Sequence, residues 1–254
     1  MGKIVAIVNQ KGGVGKTTSA VNMAAALGAM DKCVLLCDID PQGNATSGFG
    51  INKRSLKSSA YDAIIGGKSA RECIVRTQFN NVYLLPSIMT LAGAELELVD
   101  IERRESRLKD ALAPIRSVFD YILLDCPPSL GLLTLNGLCA ADSYLVPIQC
   151  EFFALEGLSQ LTATVRKAKE LYNPHLELEG VLLTMYDPRL KITGQVVEEI
   201  KRFFPRKVYG SVIPRNVRLS EAPSYGQPVR YYDANSSGCK AYEALAREFL
   251  LMAS

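Results

Sequence analysis

The chain reads as an α/β protein in which one mostly parallel, twisted sheet is covered by helices on both faces. Short apolar runs alternate with longer helical patterns from end to end, the order that parallel strands and crossover helices impose. Most of these runs are continuously hydrophobic rather than alternating, as strands buried on both faces must be. A glycine-rich loop, residues 10–18, separates the first strand pattern from the first helical one.

At 254 residues, with 48% hydrophobic and 22% charged, the chain has the balance of a globular protein with one full core. No internal repeat, low-complexity tract or linker divides it, so one domain over residues 1–254 is expected. No apolar run approaches the length of a membrane helix. Residues 4–8 run directly into the glycine-rich loop and read as a strand rather than a secretion signal, and Ala6 stands where a myristoylation pattern needs Ser or Thr. A cytoplasmic protein is expected. The seven cysteines include no C-x-x-C pair and read as reduced, mostly buried thiols. The single histidine, His175, sits in an Asn-Pro-His loop, which argues against histidine catalysis or histidine-bound metal.

Strands are expected at residues 4–8, 34–37, 82–85, 121–124, 144–148 and 181–185, with a short one near 212–213. Apolar residues at three- and four-residue spacing predict helices at 17–30, 103–118, 155–172, 195–204 and 240–252, and two short helices within 51–76. In open sheets of this kind ligands bind beyond the carboxyl ends of the strands, so the loops there carry the chemistry.

The first such loop reads Gln10-Lys11-Gly12-Gly13-Val14-Gly15-Lys16-Thr17-Thr18. Glycines let backbone N–H groups turn inward around phosphates, and the helix N-terminus adds its positive end. Lys16 is placed to reach the β- and γ-phosphates, Thr17 to ligate Mg²⁺ and Thr18 to hydrogen-bond the α-phosphate. The strict Walker A pattern wants glycine at position 10. The loop instead fits the deviant form K-G-G-x-G-K-[ST]-T, with a second lysine at Lys11. A dinucleotide fold is the rival, since Asp38 and Asp40 follow at a ribose-binding distance. Its third glycine is missing, Thr18 standing there, and Lys16-Thr17 suit a triphosphate with its metal.

The second strand ends in Asp38-Ile39-Asp40-Pro41-Gln42-Gly43-Asn44, where Asp40 is placed to position and polarise an attacking water. Turn-forming composition is the plainer explanation of the same residues. The fourth strand ends at Asp125, a Walker B carboxylate near Mg²⁺, followed by Cys126-Pro127-Pro128-Ser129-Leu130-Gly131, a loop suited to sensing the γ-phosphate. Three loops at three strand ends converge on one site, that of a single-domain P-loop NTPase.

These motifs, with Ile213-Pro214-Arg215-Asn216-Val217-Arg218-Leu219-Ser220-Glu221-Ala222-Pro223, make the chain resemble the ParA/Soj chromosome-partition ATPases from the first strand to the last helix. The resemblance implies an ATP-dependent sandwich homodimer in which Lys11 of each subunit reaches the nucleotide bound by the other. It implies that Pro214 and Asn216 line the adenine pocket. It further implies that the ATP dimer binds double-stranded DNA without sequence preference on the nucleoid, and that a ParB/Spo0J-type partner stimulates hydrolysis and releases it. Larger relatives carry an N-terminal helix-turn-helix domain; with the phosphate loop starting at residue 10, operator-specific repression is not expected.

Charge supports this locally. Residues 161–230 hold 12 Lys or Arg against 7 Asp or Glu, a surplus of five, while the other 184 residues sum to −2. Arg189 and Arg218 are the first candidates for phosphate contacts, with Lys191, Arg215 and Arg230 behind them, although scattered surface cations are ordinary. A MinD-like membrane ATPase needs a cationic amphipathic tail, and residues 240–254 are charge-balanced. An iron–sulphur carrier needs cluster thiolates, and only Cys126 lies beside the site. A biosynthetic ligase of related fold needs a second substrate pocket, for which the sequence offers no signature.

Overall fold

Seven strands form the sheet: β1 (Lys3–Ile7), β2 (Val34–Asp38), β3 (Val75–Arg76), β4 (Val82–Leu85), β5 (Tyr121–Asp125), β6 (Ser143–Gln149) and β7 (Glu177–Thr184). They lie in the order β3-β4-β2-β5-β1-β6-β7. All neighbours are parallel except β3, which runs antiparallel to β4 at one edge. The computed structural model describes residues 2–151 and 154–252, with the side chains of residues 154–157 and 191 outside the description.

Burial on both faces follows from the strand composition. In β1, Ile4 and Ala6 enter one core layer while Val5 and Ile7 enter the other, as the two-residue period requires. The first helix, Lys16–Gly28, and the last, Ser237–Met252, cover one face; Leu132–Ala140 and Ala154–Leu171 are among those covering the other. The last helix turns Tyr242, Leu245, Ala246 and Phe249 inward, and Met252 is exposed. Truncating a fully buried aromatic such as Phe249 to alanine costs about 3–5 kcal/mol. Among the described residues no helix is long and apolar enough to cross a membrane.

Pro147 lies inside β6, where a missing N–H would break a ladder with strands on both sides. β1 pairs with β6 only as far as Leu145, so at Pro147 the sole partner is β7, through Leu182. The expected helix over 103–118 is instead a 3₁₀ turn (Arg104–Ser106), an α-helix (Arg107–Leu112) and a second 3₁₀ segment (Ala113–Val118). Pro114 accounts for the last break, because it has no N–H for an α-helical bond. The short strand expected near 212–213 is a bridge rather than a strand. Tyr186 bridges Pro214: Ile213 N–H donates to Leu183 O, Tyr186 N–H to Ile213 O and Arg215 N–H to Tyr186 O.

Register decides where the site falls. Because β5 lies between β1 and β2, Ile7 and Asp38 are both Cα partners of Asp125. Two carboxylates therefore stand side by side at the carboxyl edge of the sheet, directly below the glycine-rich loop.

Candidate functional site

The loop leaves β1 and enters the first helix through Gly15, whose φ of 87° is a left-handed conformation that a side chain would strain. Gly13 is also left-handed, and a Cβ at Gly12 or Gly13 would meet no atom within 4 Å, so the backbone faces open space. Gly15 caps the helix without a side-chain hydrogen bond, and its first turn holds no acidic residue. Its N–H groups thus point their partial positive charge at that space, the arrangement that binds phosphate.

Two side chains outside the loop hold its shape. Asn9 accepts from Lys11 N–H (3.0 Å) and donates to Pro147 O (2.7 Å), while Thr184 Oγ1 at the end of β7 donates to Val14 O (2.8 Å). Lys16 folds back so that Nζ donates to Lys11 O at 2.9 Å. Burial lowers the Lys16 pKa, opposed by the charges of Asp125, Cys126 and Asp40.

The carboxylates have different environments. Asp38 Oδ2 accepts from Thr46 N–H (2.8 Å) and Thr46 Oγ1 (2.7 Å), and Oδ1 from Asp40 N–H (3.3 Å). Burial still pushes its carboxyl up to about 6. Asp125 is fully buried and neither carboxylate oxygen has a hydrogen-bond partner; Thr17 eases its charge from outside hydrogen-bond geometry. Burial, and after it the neighbouring Asp38, hold Asp125 well above the usual carboxylate range. A buried charge without a partner is costly, and a divalent cation beside Thr17 would relieve it, so these residues fit the metal. Asp40 lines the same cleft as Gly12, Gly13, Lys16 and Thr17, with Oδ1 accepting from Gln42 N–H at 2.9 Å.

The sequences of known proteins agree with this geometry. Residues 2–178 match the family model described as AAA domain. The chain is 54% identical to the sporulation initiation inhibitor protein Soj of Bacillus subtilis, covering 98% of each chain. It is 51% identical to the chromosome partitioning protein ParA of Myxococcus xanthus, covering 98% of this chain and 88% of that one. The chain belongs to the ParA/Soj family. A solved structure from Mycobacterium smegmatis, named cobyrinic acid a,c-diamide synthase with bound ADP and magnesium, matches with a TM-score of 0.87 at 37% identity. It covers 98% of this chain and 94% of that one.

Within this ParA/Soj chain the other expected residues fall into three groups. Pro214 and Asn216 line a cleft of about 540 Å³ with Gly15, Thr18, Thr184 and Met185, continuous with the phosphate loop. Asn216 Oδ1 also accepts from Leu219 N–H and caps a short helix, and its Nδ2 donates to Ser237 Oγ. Lys11 pairs within its own chain, its Nζ 2.9 Å from Glu151 Oε2. The candidate arginines are mostly paired: Arg189 with Asp187 through two nitrogens, Arg218 with Glu221 (2.8 Å) and Asp233 (3.2 Å), Arg230 with Glu243. Arg215 is exposed and forms no ion pair among the described residues. The Lys191 side chain lies outside the described residues.

Arg215 N–H donates to Tyr186 O, which holds the segments carrying Arg189 and Arg218 side by side. Sequence reading missed Asn9, Thr46, Thr184 and the structural role of Asp38. Only Asp38 had a signal, its place two residues before Asp40 at a strand end; the others act through contacts distant in sequence.

Proposed function

We propose that this chain is a Mg-ATP-dependent switch ATPase of DNA partitioning. The observation that carries the reading is the meeting of Lys16, Asp40 and Asp125 at the ends of β1, β2 and β5, with both Asp125 oxygens unpartnered. The loop N–H groups and Lys16 bind and neutralise the triphosphate. Thr17 and Asp125 would hold Mg²⁺, which when bound would supply Lewis-acid charge at the phosphate oxygens. Asp40 orients a water for in-line addition to the γ-phosphorus; the bridging P–O bond breaks, giving ADP and phosphate.

The relatives named as chromosome-partitioning proteins support the wider role. In it, ATP assembles a homodimer with Lys11 acting across the interface, and the dimer binds double-stranded DNA on the nucleoid without sequence preference. A ParB/Spo0J-type partner then stimulates hydrolysis and releases it. The test is ATP turnover measured alone, with non-specific double-stranded DNA and with lipid vesicles. Stimulation or ATP-dependent binding by DNA alone is the expected result; a response to vesicles alone would replace this reading with a membrane-positioning one.

A further inference from the structure

The loop bearing Asp40 is closed at both ends by one buried carboxylate. Asp38 leaves β2 with no exposure and spends its oxygens on the loop: Oδ1 on Asp40 N–H, Oδ2 on Thr46 N–H and on the Thr46 hydroxyl. Thr46 is itself fully buried, and its Oγ1 accepts from Ser87 N–H at 2.9 Å, just beyond β4. Ser87 also confines the middle of the loop. Its carbonyl would lie 2.6 Å from a Cβ at Gly43, where φ is +63°, so only glycine passes there. Between these anchors the loop presents Asp40 and Asn44 to the cleft that holds Gly12, Lys16 and Thr17.

We infer that the Asp38–Thr46–Ser87 staple is a positioning device that sets the distance of Asp40 from the phosphate end of the cleft. The inference rests on the proposed role of Asp40 as the water-orienting group. Three features support it. The hydrogen bonds are buried, so they do not exchange with water and hold a single geometry. A hydroxyl is required, because it alone donates to Asp38 while accepting from Ser87 N–H. And the staple ties the ends of two neighbouring parallel strands, β2 through Asp38 and β4 through Ser87, with Asp38 in register beside Asp125 of β5. Asp38 and Thr46 need not touch the nucleotide; they act by holding Asp40, and small displacements of a reacting group cost much rate.

The decisive variants are Thr46→Val, which keeps volume and removes the hydroxyl, and Thr46→Ser, which restores it. Steady-state turnover with Mg-ATP and DNA, ATP affinity by isothermal titration and Tm are measured on the full chain. Thr46→Val is expected to lower kcat about tenfold with ATP affinity within about twofold of wild type, and Thr46→Ser to recover most of kcat. Should Thr46→Val fail to fold, Asp38→Asn, which removes an acceptor at nearly constant volume, is expected to show the same kcat loss with retained affinity. Wild-type kcat in the folded variant, equal losses in Thr46→Val and Thr46→Ser, or a loss of affinity with kcat intact would each overturn the inference. Asp40→Ala separates it from the reading beneath: normal turnover there removes the role of Asp40, whereas an inactive Asp40→Ala beside an unimpaired Thr46→Val removes only the staple's.

Discussion

The Lys11 ammonium lies 2.9 Å from the Glu151 carboxylate of its own chain. Both side chains are more than a third exposed, so the pair is weak and water-screened, a contact that a competing anion can replace. Lys11→Ala is therefore expected to leave ATP binding by the monomer within about threefold and to reduce turnover by roughly 10³-fold, as loss of a cation delivered across an interface does. Mixing Lys11→Ala with Asp40→Ala subunits checks the direction of delivery. Recovered activity in the mixture supports action in trans, and none at all returns Lys11 to a local role.

Lys16 is the buried cation of the site, with Asp125, Cys126 and Asp40 around it. Lys16→Ala is expected to weaken ATP binding by about 100-fold or more, the loss of a charge-assisted contact to phosphate, while the glycine loop still folds. Isothermal titration decides this, and unchanged affinity in a folded variant would remove the central claim.

Asp40→Ala should bind ATP normally and turn it over about 10²–10³-fold more slowly, because a water-orienting carboxylate matters only at the chemical step. Light scattering with ATP is expected to show a larger species that persists. Wild-type turnover would reduce Asp40 to a turn residue, its carboxylate serving Gln42 N–H.

Asp125 gives a prediction of opposite sign with and without ligand. Its folded pKa is raised, so the fold favours the protonated form: that contribution is full below the ordinary carboxylate range and is lost as pH rises through the raised folded value. At a pH above that raised value and without nucleotide, Asp125→Asn is expected to raise Tm by a few degrees, relieving a buried unpartnered charge. With Mg-ATP the wild type should gain more than the variant. Thermal unfolding in both conditions tests this, and a lower Tm of the ligand-free variant would mean that the carboxylate is stabilising by itself.

The DNA surface is expected to need ATP, ignore sequence and weaken with salt. Arg218→Glu should reduce affinity about tenfold and lower the salt slope by about one contact per subunit, with ATP-dependent dimerisation retained. Fluorescence anisotropy that is equally tight with ADP, or indifferent to Arg218→Glu and Arg189→Glu together, would sink this surface. Since Arg218 is already held by Glu221 and Asp233, and Arg189 by Asp187, each phosphate contact competes with an internal carboxylate.

The sheet and the phosphate loop were legible because both are written locally: continuous apolar runs, glycines at fixed offsets and carboxylates at strand ends. The helix Leu132–Ala140 was not. Leu133, Thr134, Asn136, Leu138 and Cys139 are all buried, so it has no polar stripe for a period to reveal. Residues 103–118 misled in the other direction, their helical spacing outweighed by Pro114. Asn9, Thr46 and Thr184 escaped because their partners lie elsewhere in the chain, beyond the reach of spacing. The pairing of Lys11 with Glu151 crosses 140 positions and was equally invisible.

The shared register of Ile7, Asp38 and Asp125 also bears on how chain length can vary across this lineage. Removing one residue within β2 or β5 would turn every later side chain of that strand to the opposite core layer and carry a carboxylate out of the row. Insertions and deletions should therefore survive at the antiparallel edge near β3 and the surrounding turns, and be eliminated from β2 and β5. A library of single-codon deletions, selected for ATP-dependent function, would read out that boundary as a map of permitted gaps.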